Sequence, residues 1–362
     1  MRPTVLEISV NNFKYNLKQI QNLAGENVIL MPVIKADAYG TYLNHRLDLL
    51  ENFKIVAVAI PDEGKFLREI GFKNEILVLN QPSALEIDTI VNYSLTVGVA
   101  NFDFICMLNN AAITAKKVIN VHIEIETGMN RTGFFLSDLK NHVDDILNLS
   151  NVHVDGLYSH LSSADVNSDY TNSQHSRFVE AKEFLDDKFS LKYVHLSASS
   201  GILNFNKFGF NTIRPGMILY GFEVFDNSYK SLDLKPVACL KSKISFIKNL
   251  PAGEKIGYSG SFVLTKNTKI ATVPIGYADG LDRSLSNCGF VVIKDTLVPI
   301  IGKICMDSFM VDVSRLDVSV GDDVYIWDNK NLTLESVAQK ANTINYEFLS
   351  RISQRVPRVF ID

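Results

Sequence analysis

The chain has 362 residues, 46% hydrophobic and 21% charged, with a formal net charge of −4; that is ordinary for a globular enzyme and long enough for two cores. This mildly acidic balance argues against a nucleic-acid footprint or a basic membrane-binding face, and no apolar run approaches the length of a membrane span. Cys106, Cys239, Cys288 and Cys305 are not spaced as zinc ligands, so no metal site is expected. Residues 1–4 lead straight into an alternating stretch, without a basic segment and apolar core, so no secretory signal is expected and the cytoplasm is the expected compartment.

Phe13, Leu17, Ile20 and Leu23 share one face of a helix predicted over 12–24, with Asn11 or Asn12 as its cap. Residues 28–34 form a continuous apolar run, as suits a parallel strand buried on both faces. Similar runs recur at 55–60, 75–79, 95–100, 119–126, 152–158, 192–196 and 212–219. Helical stretches at 83–92, 103–115, 137–149 and 169–187 fall between them, with Asp62 and Ser137 as candidate caps. About eight such units predict a (β/α)8 TIM barrel over residues 1–225, with a doubly wound sheet as the alternative.

Beyond about residue 225 the texture changes. Strand-like stretches at 237–247, 268–275, 290–293, 297–301 and 308–312 are punctuated by turn residues, and helical patterning is scarce until 333–341. Residues 226–362 are therefore expected to form a β-rich domain.

One residue stands out chemically before any likeness is considered. Lys35 ends the first apolar run, and in a barrel the C-terminal ends of the strands hold the active site. A lysine amine partly removed from water there has a lowered pKa and can form a Schiff base. Read alone, the position better suits a lysine leaving the core with its charge in solvent.

The segment Lys35-Ala36-Asp37-Ala38-Tyr39-Gly40 resembles the cofactor-lysine motif of bacterial alanine racemases. The resemblance continues through residues 126–134, residues 160–165 and Arg214-Pro215-Gly216-Met217 with Tyr220-Gly221. It extends through Gly257-Tyr258-Ser259-Gly260, residues 275–280, Ile304-Cys305-Met306-Asp307 and Arg355-Val356-Pro357-Arg358. It covers essentially the whole chain, and the order and spacing of the motifs make it specific.

The resemblance implies a pyridoxal 5'-phosphate-dependent isomerase that interconverts L- and D-alanine by a two-base mechanism, supplying D-alanine for peptidoglycan. Lys35 would carry the cofactor and act as one acid/base, and Tyr258 from the partner subunit would be the other. Inversion at carbon needs a proton removed from one face and returned on the other, which two bases do readily. Arg214 would face the pyridine nitrogen and keep it unprotonated. Tyr39, Ser199, Gly216 and Met217 would hold the phosphate, and His160 would pack on the cofactor ring. Arg131 would orient toward the cofactor's phenolic oxygen and, with Met306, serve the substrate. Asp165, Tyr277 and Arg283 would line the channel by which substrate arrives. The implied assembly is a homodimer with shared active sites. A racemase of serine or a longer amino acid on the same scaffold is the alternative.

Two positions depart from the family pattern. Many relatives carry a lysine that becomes carbamylated seven residues before the arginine; here it is Glu124, and its carboxylate is expected to replace the carbamate and pair with Arg131. Alternation places His122, Glu124 and Glu126 on one strand face, and such charges inside a barrel need partners. Gln354 is read as standing where the family carries a tyrosine bonded to the catalytic tyrosine. Ala198 and Thr41-Tyr42 are smaller differences.

Overall fold

The computed structural model describes residues 2–205, 208, 210–222 and 232–362. The first strand, β1 (Val5–Ser9), runs directly into a helix over Val10–Ala24. Ser9 sets that boundary: its backbone is extended and its hydroxyl accepts from Asn12 N at 3.1 Å. The caps expected at Asn11 or Asn12 thus lie inside the first turn. The caps expected at Asp62 and Ser137 are displaced as well. The helix Pro61–Glu69 starts on proline with the Glu63 carboxylate accepting from Ala59 N and Ile60 N, and Phe135 precedes the helix Leu136–Leu147.

Eight parallel strands follow: β2 (Ile29–Leu30), β3 (Ile55–Val58), β4 (Glu75–Val78), β5 (Thr96–Val99), β6 (Ile119–Glu124), β7 (Val152–Tyr158), β8 (Tyr193–His195) and β9 (Thr212–Ile213). They lie in the order β2-β9-β8-β7-β6-β5-β4-β3. The two ends meet at a parallel bridge between Val33 and Ala57, where Ile34 N donates to Ala57 O at 2.9 Å. The sheet thereby closes into the expected barrel, and Ile55, Val56, Ile76, Leu77, Val97 and Ile123 are buried within it. The run read as a strand over 212–219 is strand only at β9. Pro215 removes a ladder donor, and Met217–Tyr220 form a 3-10 turn.

The strand-rich part comprises β10 (Ala238–Lys243), β11 (Phe246–Leu250), β12 (Lys255–Ile256), β13 (Phe262–Val263), β14 (Thr268–Val273), β15 (Phe290–Ile293), β16 (Thr296–Ile301), β17 (Phe309–Asp312), β18 (Asp323–Trp327) and β19 (Arg358–Ile361). Nine strands form one sheet in the order β11-β14-β17-β16-β15-β18-β10-β1-β19, and β12 pairs with β13 as a separate hairpin. Thus β1 pairs with β10 and β19, away from the barrel. The expected division at 225/226 lies outside the described residues. Among the described residues, no helix is long and apolar enough to cross a membrane.

Candidate active site

Lys35 opens a left-handed turn. Ala36 (φ 51°, ψ 52°), Asp37 (52°, 49°) and Ala38 (52°, 52°) all lie in the left-handed region, as does Tyr39 at φ 56°. Each such residue costs about 1–2 kcal/mol, so the surroundings must hold the turn in place. The Glu63 carboxylate accepts from Ala36 N at 2.6 Å, the Thr41 hydroxyl donates to Ala38 O at 2.6 Å, and Arg358 Nε donates to Gly40 O at 2.9 Å. A Cβ on Gly40 would stand 2.4 Å from Leu349 O, so this turn can close only on glycine. Burial, with the positive charges of Arg131 and Arg214 nearby, pushes the Lys35 amine below its ordinary pKa, against a smaller opposing pull from Glu63.

Arg214 follows β9 and is 2% exposed. Its Nη1 donates to His195 Nδ1 at 2.6 Å and to His195 O at 2.8 Å; its Nη2 donates to Ser159 O at 2.7 Å and Leu196 O at 3.0 Å. None of these bonds uses Nε–H, which leaves one donor for a ligand. Burial lowers the Arg214 pKa to about 10, which still leaves it charged. His160, after β7, lies 3.4 Å from Arg214 Nη2 through Nδ1. Burial first, then the charges of Arg214, Arg131 and Lys35, lower the His160 pKa to about 3, so its ring is neutral.

Between these groups lies a small polar cradle. Gly216 N donates to Ser199 Oγ at 3.2 Å, and a Cβ on Gly216 would come within 2.7 Å of Tyr39 Oη. Met217 is fully buried behind it. Tyr39 is held by ring contacts with Tyr220 at 5.0 Å and Tyr346 at 6.1 Å. Its phenol is raised in pKa by burial, so it is a hydroxyl donor.

The loop after β6 carries Arg131, which is exposed. Glu126 shapes that loop by accepting from Gly128 N and Asn130 N, and Tyr170 Oη donates to Gly128 O at 2.7 Å. His122 and Glu124 do point inward, at 0% and 3% exposure. The expected Glu124–Arg131 pair is not formed: among the described residues no ion pair joins them within 4.0 Å, and Glu124 Oε2 has no hydrogen-bond partner. Arg131 stays in the solvent-facing loop while Glu124 remains on the strand. Burial raises the Glu124 carboxyl, and Thr132, Arg131, Tyr158 and Arg214 oppose the shift.

Tyr258 sits at the tip between β12 and β13, 66% exposed, beside Gly257 at φ 69°. Met306 is 52% exposed, and its carbonyl accepts from Ala278 N at 3.0 Å, which ties it to the loop carrying Tyr277. Among the described residues, neither Tyr258 nor Met306 makes a hydrogen bond or ion pair with the barrel group. Tyr277 and Arg283 are exposed and Asp165 is half-buried. Gln354 is exposed, and Tyr346 packs edge-on against Tyr39, raised in pKa by burial and by Asp165. Sequence reasoning did not single out His195 or Asp155; the signal available was the polar face of β6, whose His122 needs partners.

A family model described as "Alanine racemase, N-terminal domain" matches residues 8–224, and one described as "Alanine racemase, C-terminal domain" matches residues 237–360. The chain is 37% identical over 367 residues to an alanine racemase of Halothermothrix orenii, covering 99% of this chain and 97% of that protein. It superposes on an alanine racemase structure from Clostridium difficile 630 with a TM-score of 0.94 at 34% identity, covering 100% of this chain and 96% of that one. A Bacillus anthracis alanine racemase structure with bound L-Ala-P superposes at a TM-score of 0.92, with 29% identity and coverage of 100% and 96%. With both domain models matched in order, and with like proteins alike over their full length, the chain belongs to the alanine racemase family.

Proposed function

We propose that this protein interconverts L- and D-alanine with pyridoxal 5'-phosphate as its resident cofactor. The observation that carries the proposal is the convergence of Lys35, Arg131 and Arg214 on one barrel mouth, where each perturbs the titration of His160. Such a site suits an anionic ligand with a carbonyl for an amine of lowered pKa. The cradle of Gly216 N, Ser199 Oγ and Tyr39 Oη fits a phosphate, since a Cβ at Gly216 would fill it. Lys35, Tyr39, Arg131, His160, Ser199, Arg214, Gly216 and Met217 would hold the group.

When bound, the cofactor withdraws electron density from the substrate and so acidifies its α-C–H bond. Arg214, still charged and with Nε–H unused, would face the ring nitrogen as a donor and so disfavour its protonation. Neutral His160 adds no further charge beside it. Lys35 Nζ holds the proton on one side of the reaction and Tyr258 Oη of the partner subunit on the other. Met306 and Arg131 orient the substrate carboxylate, and Asp165, Tyr277 and Arg283 line its approach. A homodimer with shared sites is supported by the exposure of Tyr258, Val263, Tyr277 and Met306 on the strand-rich part. Two domains divide at about residue 225. The product supplies peptidoglycan precursors in the cytoplasm, where the four free cysteines stay reduced.

The test is a racemisation assay on L-alanine with the parent, Lys35→Ala and Tyr258→Phe, each loaded with pyridoxal phosphate. The parent forms D-alanine, Lys35→Ala forms none, and Tyr258→Phe loses about 100-fold or more. A loaded parent that forms no D-alanine overturns the proposal.

A further inference from the structure

Behind Arg214 the barrel interior holds two imidazoles and a carboxylate to which the racemase reading gives no task. Arg214 Nη1 donates to His195 Nδ1 at 2.6 Å, and His195 Nε2 meets His122 Nδ1 at 2.8 Å. His122 Nε2 then faces Asp155 Oδ1 at 3.4 Å. Neither of these last two atoms has a hydrogen-bond partner, although both are buried, and each is the polar atom the other faces. Both histidines are 0% exposed and Asp155 is 4% exposed. The three residues stand on the neighbouring strands β6, β7 and β8, and packing fixes them. A Cβ on Gly156 would lie 2.3 Å from the His122 ring, and the Tyr158 ring stacks on His195 at 5.0 Å and 9°.

The protons in this chain have one consistent direction. A guanidinium only donates, so His195 Nδ1 accepts and its single proton sits on Nε2. That N–H donates to His122 Nδ1, so the His122 proton also sits on Nε2, which faces the buried Asp155 carboxylate. Two neutral rings thus link a buried cation to a buried anion. In a low-dielectric interior such a chain polarises along its length. The remaining titratable neighbours are Tyr158 on His195, Tyr193 on His122 and Glu124 beside Arg214.

We propose that His122 and Asp155 are positioning residues for Arg214: the Asp155 carboxylate fixes the His122 tautomer, His122 fixes His195, and His195 fixes where the guanidinium points. The effect on turnover rests on the racemase reading; the tautomers do not.

The experiment is histidine-nitrogen NMR on the full-length labelled protein, with His122→Gln and His195→Gln for assignment. His122 and His195 are expected as neutral rings protonated at Nε2, with Nδ1 a bare acceptor. A ring protonated at Nδ1, or at both nitrogens, overturns the proposal. Asp155→Asn, nearly isosteric, should give His122 a mixed tautomer signal. In the loaded enzyme it should lower kcat about tenfold, the scale of one charge-assisted hydrogen bond, with KM within about twofold. It should also shift the cofactor's visible absorption. A variant with parental tautomers and parental kcat also overturns the proposal. If Asp155→Asn does not fold, the parent spectrum still decides. The spectrum needs no turnover, so it separates failure of this chain from failure of the racemase reading.

Discussion

At Glu124 burial and charge pull in opposite directions. Burial raises the carboxyl pKa, and Arg131 and Arg214 only partly restrain the shift. A carboxyl with a raised folded-state pKa is disfavoured in its ionised form, so it weakens the fold above that pKa and ceases to do so as pH falls through it. Glu124→Gln should therefore stabilise the protein at neutral pH by about 1 kcal/mol, and urea unfolding should show the gain fading on acidification. Glutamate also cannot be carbamylated, so removing bicarbonate from the assay should leave the rate unchanged; a rate that recovers on adding bicarbonate would contradict this. At Gly216 the constraint is space. Gly216→Ala pushes a methyl to within 2.7 Å of Tyr39 Oη, and fluorescence titration should show pyridoxal phosphate binding weakened about tenfold or more.

Among the elements, those read most directly from the residues are those whose packing repeats. The apolar runs at 55–60, 119–126 and 152–158 became β3, β6 and β7 because a strand covered on both faces leaves a continuous apolar signature. The caps were not legible. Asn11, Asn12, Asp62 and Ser137 all suit a cap by residue type, but Ser9 and Pro61 take those starts because the preceding strand ends at Ser9 and proline fixes the first helical φ. Ser9→Ala should cost about 1 kcal/mol in a denaturant melt. The left-handed turn after Lys35 was invisible for a related reason: Ala-Asp-Ala prefers a right-handed helix, and contacts from Glu63, Thr41 and Arg358 hold it reversed. The polar chain from Arg214 to Asp155 joins three strands distant in sequence. The inward face of β6 hinted at partners but could not name them.

For the whole molecule, two measurements are decisive. If Lys35 and Tyr258 act together across subunits, mixing inactive Lys35→Ala with inactive Tyr258→Phe restores one intact site in each mixed dimer. After subunit exchange, activity should return to about a quarter of the parental value; no recovery would mean each chain builds its own site. Stability should also depend on pH through His160. His160 falls from 6.5 to about 3 on folding, so below pH 6.5 the unfolded chain takes up a proton that the folded chain refuses. Urea midpoints should fall between pH 6.5 and 3, and less steeply in His160→Gln.

The pairing of β1 bears on how the chain is made. Val5–Ser9 is synthesised before the barrel strands, yet its ladder partners, Ala238–Lys243 and Arg358–Ile361, are synthesised after them. The barrel can be complete while this ribbon is still single, and Arg358–Ile361 later supplies the strand beside it. Contacts of such sequence separation form slowly. A nascent chain stalled before residue 358 should hold a protected barrel beside a leading segment that exchanges its amide protons freely.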